Sequence, residues 1–207
     1  MGDKVVRLKR ELKYQGTILK IYEDTVLANG HKAHWDFIHH DGAAAVVPVT
    51  DDGKILMVRQ YRNALNRETL EIPAGKLDAP DEPKIECAYR ELEEETGLQT
   101  VYVDQLHTFT EVKRDPRGRV ISIAYYALVR MEDVKGGDDA AQARWFAVNE
   151  IPTLAFDHDR ILRAALLRLY ELLRFRLSGF TRLLDIFSVD ELQSLCRLLQ
   201  TYVTESK

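Results

Sequence analysis

Four glutamates lie within residues 91–95, and their spacing constrains the local fold more than any other feature of the sequence. Glu91, Glu94 and Glu95 stand at positions i, i+3 and i+4, so a helix would bring them to one side. Like charges placed this closely repel one another. A hard divalent cation such as Mg²⁺ would relieve the repulsion, because it binds carboxylate oxygens and keeps positions for water and phosphate. The spacing therefore predicts a helix with a metal site on its acidic side.

The remainder of the same helix supports this interpretation. Ile85, Ala88 and Leu92 form an apolar stripe on the side opposite the glutamates, as expected for a helix that packs on a core. Gly97 follows at the position where helices commonly end in a left-handed residue. Cys87 falls within the helix and is predicted to be a small buried residue, not a nucleophile.

The segment 75–98 resembles the signature of the Nudix hydrolases, G-x5-E-x7-R-E-U-x-E-E-x-G-U, where U is a bulky aliphatic residue. The second half of the signature is matched without a gap by Arg90, Glu91, Leu92, Glu94, Glu95, Gly97 and Leu98. Six residues separate Gly75 from Glu82 where the signature has five, so the loop before the helix should be longer, and Asp81 is an alternative to Glu82. The resemblance extends over roughly residues 14–166.

The segments that precede the helix are similar to the ADP-ribose pyrophosphatase branch, and the best local match is EIPAGKL, residues 71–77. This resemblance implies an α/β fold, the Nudix α/β/α sandwich, with an N-terminal β-rich segment and a C-terminal helical extension. In that branch the N-terminal segment is commonly exchanged across a homodimer and helps to enclose the substrate. The implied reaction is hydrolysis of the pyrophosphate bond of ADP-ribose, or of a related nucleoside diphosphate sugar, to AMP and a sugar phosphate. The implied cofactor is Mg²⁺, with Mn²⁺ as an alternative.

The resemblance also implies roles for individual residues. The metal ligands should come from Ala74, Gly75, Glu91, Glu94 and Glu95, with Ala74 or Gly75 contributing a backbone carbonyl. Arg90 should pair with a carboxylate of the signature, Glu82 before any other, and orient the helix. Arg62 should hold a phosphate, because a planar guanidinium can donate two parallel hydrogen bonds; the alternative is an arginine on the surface at the end of a strand.

The catalytic base is left open between three carboxylates. In this branch the base often comes from a loop far along the chain, which corresponds here to residues 110–119. The candidates are Glu111, Asp115 and, on the helix, Glu91. Arg114 and Arg117 of the same loop either hold the distal phosphate or form a charged turn.

Two aromatic residues offer a candidate binding surface. Trp35 and Phe37 alternate with polar residues on a predicted strand, so they should share one face and could stack on an adenine ring. The same pair would fit a dimer interface equally well.

Composition narrows the class of protein. The net charge of −4 argues against a surface that coats nucleic acid. Two cysteines, Cys87 and Cys196, cannot form a zinc site by themselves. The N-terminal residues are too charged for a signal peptide, and no apolar run approaches the length of a membrane span. We therefore expect a cytoplasmic enzyme that acts on a small-molecule nucleotide, forms a homodimer and has neither nucleic acid nor membrane as a partner.

Three parts of the chain are expected. They are residues 1–42 as a β-rich segment for dimerisation and substrate binding, residues 43–177 as the Nudix hydrolase domain, and residues 178–207 as a C-terminal helical extension. Asn29-Gly30 predicts a hairpin turn between strands, and residues 43–50 are typical of a buried strand. An amphipathic helix is predicted over residues 157–177 and a second one, opened by a capping box, after Ser188.

The chief rival from another functional class is a non-catalytic ADP-ribose sensor. Some Nudix-like regulators carry a C-terminal winged-helix domain, but the tail of this chain is too short for one and is not markedly basic. A sensor would be expected to lose carboxylates of the signature, which this sequence keeps. Within the hydrolases, NADH and dinucleoside polyphosphates are the alternative substrates.

Overall fold

The computed structural model describes residues 5–16, 19–39, 42–99, 102–111, 114, 121–137, 140–175 and 186–205. The chain divides into two compact units, Met1–Asp41 and Gly42–Lys207, which we call the N-terminal and C-terminal units. Predicted residues Asp115 and Arg117 lie outside the described part of the chain.

The N-terminal unit is an antiparallel sheet of three strands in the order β1-β2-β3. The strands are β1 (Val5–Gln15), β2 (Lys20–Ala28) and β3 (His31–His39). The predicted hairpin between β2 and β3 is confirmed, because Asn29 and Gly30 have φ angles of 53° and 81°. Two successive positive φ angles are what a tight hairpin turn between twisted strands requires.

The C-terminal unit is built on a seven-stranded sheet in which β10-β5-β4-β9-β8 are successive neighbours. Two short strands extend it, since β6 pairs with β5 and β7 pairs with β4. The strands are β4 (Ala43–Thr50), β5 (Lys54–Arg62), β6 (Arg67–Glu71), β7 (Ala74–Lys76), β8 (Tyr102–Phe109), β9 (Ser122–Val129) and β10 (Ala140–Ala147). The predicted buried strand at residues 43–50 is β4, which runs parallel to β9 in the middle of the sheet.

Helices cover both faces of this sheet, so the predicted α/β/α sandwich is confirmed. Helix α1 (Lys84–Thr96) packs on one face, with buried residues such as Ala44 and Val46 of β4. Helices α2 (His158–Phe175) and α3 (Val189–Glu205) pack on the other, with Val47 and Val49 of the same strand. The alternation along β4 follows from the two-residue period of a strand. Among the helices of the described residues, none is long and apolar enough to cross a membrane.

Helix α1 packs through a slightly different stripe from the one predicted. Ala88 and Leu92 are fully buried, as expected, but Ile85 is 37% exposed. Cys87 takes its place in the core, where it is fully buried. Burial raises the pKa of the Cys87 thiol to about 11, which keeps it protonated and unreactive. Gly97 ends the helix with a φ of 77°, as predicted.

The C-terminal helix completes the second face of the sheet. The predicted capping box is present, since the Glu191 amide donates to Ser188 Oγ and the Ser188 amide donates to the Glu191 carboxylate. The side chains of α3 that are fully buried are Leu192, Leu195 and Leu199. They pack in the same core cluster as α2, so α3 is part of the C-terminal unit.

Candidate active site

A glycine lets the acidic helix approach the short strand β7. Gly75 is the middle residue of β7, and a Cβ atom built on it would lie 1.9 Å from Oε2 of Glu91. Any other residue would therefore displace either the Glu91 carboxylate or the strand. The Glu91 carboxylate of α1 therefore lies directly against the backbone of β7, where the signature begins.

A second carboxylate fixes the neighbouring residue. The amide of Ala74 donates a hydrogen bond of 3.2 Å to Oε2 of Glu95. Glu95 is 2% exposed and Glu91 is 8% exposed, whereas Glu94 points to solvent. Of the three carboxylates predicted to converge, the structure therefore brings Glu91 and Glu95 to β7 and leaves Glu94 at the rim. The spacing i, i+4 keeps the first two on one side of the helix.

Arg90 ties the acidic side of the helix together. Its guanidinium donates to Glu82 at 3.2 Å, which confirms the predicted pair. Further acceptors of the guanidinium include Glu91 Oε1, Glu94 Oε2 and the Lys76 carbonyl. The extra residue before Glu82 is accommodated in the loop ahead of α1, where the Asp78 amide donates to the Glu82 carboxylate. Glu82 therefore holds the position of the signature glutamate, and helix α1 is undisturbed.

The oxygen atoms around β7 are suited to a hard divalent cation. Burial raises the pKa of Glu91, and the charge of Arg90 offsets part of that effect. Within the described ranges no three side chains of His, Cys, Asp or Glu lie close enough to form a metal centre. The carboxylates of Glu91 and Glu95 lie at β7. With a backbone carbonyl of Ala74 or Gly75 they would supply oxygen donors. Such a set, all oxygen and partly charged, is what Mg²⁺ binds.

Arg62, the predicted phosphate ligand, forms an ion pair with a buried carboxylate. Its Nε and Nη2 atoms donate to Glu71 at 2.8 and 2.6 Å, and Thr69 Oγ1 donates to the same carboxylate at 2.6 Å. Burial alone would raise the pKa of Glu71, but these hydrogen bonds and the charge of Arg62 bring it below its usual value. Arg62 is thus a partly buried arginine with a protein partner, and sequence reasoning did not identify Glu71 as that partner.

Two further ion pairs join the end of β8 to the start of α2. Arg114 donates two hydrogen bonds to Asp157, at 2.8 and 2.7 Å, and a third to Ser122 Oγ. Arg160 donates to Glu111, and this hydrogen bond lowers the pKa of the Glu111 carboxyl. The four residues of these two ion pairs line a cavity of about 70 Å³ together with residues 107–110.

The cavity and β7 lie at the same end of the strands of this sheet. Phe109, Ser122, Ala43 and Lys76 occupy one row across the neighbouring strands β8, β9, β4 and β7. Three strand spacings separate the ends of this row, a distance of about 14 Å. A dinucleotide-sized molecule can therefore span the distance from β7 to the end of β8.

The predicted aromatic pair lies in the N-terminal unit. Trp35 and Phe37 share a face of the sheet because they are two residues apart on β3, and they are 49% and 36% exposed. The guanidinium of Arg10 lies 3.8 Å from the Phe37 ring centroid and donates two hydrogen bonds to Asp24. Sequence analysis did not identify Arg10, because its partners lie on two other strands, β2 and β3.

Residues 39–165 match the family model of the NUDIX domain. The chain belongs to the Nudix family. Over 103 residues it is 43% identical to the ADP-ribose pyrophosphatase of Bacillus subtilis (strain 168), which covers 49% of this chain and 55% of that protein. It is 35% identical over 124 residues to the ADP-ribose pyrophosphatase of Methanocaldococcus jannaschii, covering 60% of this chain and 72% of that protein. The chain thus spans about half the length of the B. subtilis relative.

Another relative belongs to a second functional class. The ADPR responsive transcriptional repressor NtrR of Acinetobacter baylyi is 26% identical to this chain over 162 residues, covering 76% of this chain and 65% of that protein. The NUDIX domain of Shewanella oneidensis NrtR, crystallised with ADP ribose, is 27% identical to this Nudix chain and superposes with a TM-score of 0.55. The match covers 61% of this chain and 86% of that one. The relatives therefore include ADP-ribose pyrophosphatases and an ADPR responsive transcriptional repressor.

Proposed function

We propose that this Nudix protein is a Mg²⁺-dependent pyrophosphohydrolase that cleaves ADP-ribose, or a related nucleoside diphosphate sugar, to AMP and a sugar phosphate. The observation that carries the proposal is the approach of α1 to β7. Glu95 fixes the Ala74 amide, and Glu91 packs against Gly75 at a distance that only glycine permits. Two buried carboxylates placed beside backbone carbonyls support metal-assisted hydrolysis more than simple nucleotide binding.

In this proposal some residues bind the metal, and others position the elements that carry them. When bound, Mg²⁺ would neutralise charge on the pyrophosphate and lower the pKa of a water molecule. Glu91, Glu95 and a carbonyl of β7 would hold the ion, with Glu94 within reach at the rim. Arg90 orients α1 through its hydrogen bonds to Glu82 and Lys76. The base that accepts the proton of the attacking water is proposed to be Glu111, with Asp115 and Glu91 as alternatives.

Substrate contacts are proposed at two places, near β7 and at the end of β8. Arg62 lies beside the strand that leads to β7, and Arg114 lies beside the cavity at the end of β8. Both are paired with carboxylates, so each would contact phosphate as part of a neutral pair. Arg117 is proposed as a further cation near the distal phosphate. Trp35 and Phe37 are proposed to stack on the adenine or to form the interface of a homodimer.

The decisive experiment measures products and binding on the same sample. Purified protein is incubated with ADP-ribose and Mg²⁺, AMP is quantified by chromatography, and affinity for ADP-ribose is measured by calorimetry. We expect turnover, and we expect Glu95→Gln to lower kcat by about a hundredfold or more with an unchanged Tm. Glu93→Gln is the matched control, because it makes the same change on the exposed side of the same helix.

The rival function predicts a different pair of results. A non-catalytic sensor would bind ADP-ribose tightly without forming AMP, and Glu95→Gln would then have no rate to lower. Tight binding with no product over hours would therefore replace the hydrolase proposal with the sensor. Parallel assays with NADH and a dinucleoside polyphosphate test the alternative substrates, and a higher kcat/KM for either would reassign the substrate while keeping the reaction.

A further inference from the structure

The turn before α2 has an unusual backbone conformation. Phe156 has a φ of 55°, a left-handed conformation that bulky residues rarely adopt. Two hydrogen bonds close the turn, one from the His158 amide to the Ala155 carbonyl and one from the Leu154 amide to Asp159 Oδ1. Strained positions of this kind persist only where surrounding contacts hold them, and they are frequent at functional sites.

This turn is hydrogen-bonded to residues 70 and 72, which lead into β7. We call β7 the proposed metal loop. The Ala155 amide donates to the Leu70 carbonyl at 3.2 Å, and the Ile72 amide donates to His158 Nδ1 at 3.3 Å. Ile72 and Pro73 are the only residues between β6 and β7, so the second bond lies two residues from Ala74. A displacement of Ile72 would be transmitted to the carbonyls of Ala74 and Gly75 through one rigid proline.

His158 can accept this hydrogen bond only while Nδ1 is unprotonated. The side chain is buried, and burial lowers its pKa below the usual value, while the charges of Glu71 and Asp157 act in the opposite direction. Arg62 and Arg114 add to the effect of burial. The neutral imidazole of His158 therefore acts as the hydrogen-bond acceptor for the Ile72 amide.

The residue before His158 makes a contact on the other side of the turn. Asp157 accepts two hydrogen bonds from Arg114, whose side chain is 5% exposed and also donates to Ser122 at the start of β9. Two adjacent residues thus hold two different partners. His158 holds Ile72 before β7, and Asp157 holds Arg114 between β8 and β9.

We propose that Asp157 and His158 are positioning residues that set the separation between β7, where the metal is proposed to bind, and Arg114, which follows β8. The proposal rests on the proposed function, because it assigns to these residues the placement of the two parts of one active site. His158 acts on the metal through Ile72 and the carbonyls of β7. Asp157 acts on the proposed base and the distal phosphate through Arg114.

The first test compares two substitutions of His158 by their affinity for Mn²⁺ in the absence of nucleotide, measured by calorimetry. His158→Leu removes the acceptor and should weaken Mn²⁺ binding by about tenfold or more, as loss of a group that orients metal ligands does. His158→Asn places a side-chain oxygen near the position of Nδ1 and should restore affinity to within about threefold of wild type. Equal affinities for wild type and His158→Leu would overturn this arm of the proposal.

A control separates positioning from general loss of stability. Leu166→Ala removes a fully buried side chain of the same helix that packs in the core. It should lower Tm, by a cavity effect, without changing affinity for Mn²⁺. If Leu166→Ala weakened Mn²⁺ binding as much as His158→Leu, the effect of His158 would be structural only and the proposal would fail.

A measurement on the unaltered protein covers the case in which His158→Leu does not fold. If the Ile72 hydrogen bond and the metal favour the same loop conformation, each must stabilise the other. Mg²⁺ should therefore slow hydrogen exchange of the Ile72 amide, as measured by NMR, more than that of amides in the middle of α2. Equal exchange with and without saturating Mg²⁺ would contradict the coupling.

The second arm predicts an effect on turnover alone. Asp157→Asn should lower kcat by about tenfold with ADP-ribose and leave Mn²⁺ affinity unchanged, because Asp157 holds Arg114 and makes no hydrogen bond to residues 72–76 in the described part of the chain. Loss of Mn²⁺ affinity in this variant would show that the two contacts are not separable. Wild type that binds Mn²⁺ but forms no AMP would refute the hydrolase, whereas the Mn²⁺ results for His158 would still decide the first arm.

Discussion

Glu111 shows at the scale of a residue how a neighbour can tune a proposed base. Its carboxylate accepts a hydrogen bond from Arg160, which lowers the pKa of Glu111. A lower pKa keeps the carboxylate ionised at neutral pH but makes it a weaker proton acceptor. Arg160 would therefore set the pH range in which Glu111, the proposed base, accepts a proton. The loop sequence alone does not reveal this pairing, because Arg160 lies on α2.

Substitution of each partner tests this arrangement. Glu111→Gln should lower kcat by about tenfold or more with little change in KM, since help from a base is realised in the transition state. Arg160→Gln removes the group that lowers the pKa, so the acid limb of the kcat profile should move to higher pH. Asp115→Asn is the comparison on the same loop. If neither Glu111→Gln nor Asp115→Asn slowed turnover tenfold, the base would be assigned to Glu91.

Elements with strong periodicity were predictable from the sequence, and those without it were not. Strand β4 and helix α2 were predicted because an apolar run and an apolar stripe mark them. Strand β1 was not placed individually within the β-rich segment predicted over residues 1–42, because charged and apolar residues alternate irregularly along it. Strands β6 and β7 are short and are held by pairing with β5 and β4, a tertiary effect that local sequence does not carry.

The site divides in the same way. Glu91 and Glu95 were placed on one side of α1 by helical spacing, which is local and depends on a fixed period. Arg90 was identified through the resemblance to the Nudix signature. The partners of Arg62 and Arg114 are 9 and 43 residues away in sequence, so their ion pairs depend on the completed fold. Their proposed role toward phosphate stays a prediction.

At the scale of elements, Arg130 joins the start of helix α3 to the sheet through hydrogen bonds. Arg130 follows β9 and donates to Glu191, to Asp51 and to the Ile186 carbonyl, while its guanidinium lies 4.4 Å from the Phe187 ring centroid. The hydrogen bond from Arg130, with further bonds from Ser188, lowers the pKa of Glu191 to about 2. The ionised form of Glu191 is therefore favoured by folding.

This shift gives a prediction with a defined sign. Because the folded pKa of Glu191 lies below its ordinary value of 4.5, its contribution to stability is complete above pH 4.5 and is lost as pH falls toward 2. The Tm of Glu191→Gln should be lower than that of wild type at pH 7, and the difference should shrink between pH 4.5 and 2. Calorimetry across this range checks it, and a difference that does not depend on pH would refute the role of the ionised pair.

At the scale of the whole molecule, exposed apolar side chains are concentrated in the N-terminal unit. The large apolar residues exposed there are Val5, Val6, Leu8, Leu12, Tyr14, Leu19, Trp35, Phe37 and Ile38. Helix α3, by contrast, buries its apolar stripe within the C-terminal unit. The proposal of a dimer therefore rests on the N-terminal sheet and not on the C-terminal helices.

A homodimer that pairs through the N-terminal sheet should be sensitive to one face of that sheet. Leu12 is 48% exposed and lies in register with Tyr22 and Phe37, so a charge at this position would meet the apolar face of a partner subunit. Light scattering at micromolar concentration should give about twice the chain mass of 23.8 kDa for wild type and a monomer for Leu12→Glu. Leu167→Glu is the matched control, because Leu167 is 41% exposed on α2 and should leave the dimer intact. A monomeric wild type, or dissociation by Leu167→Glu alone, would refute this interface.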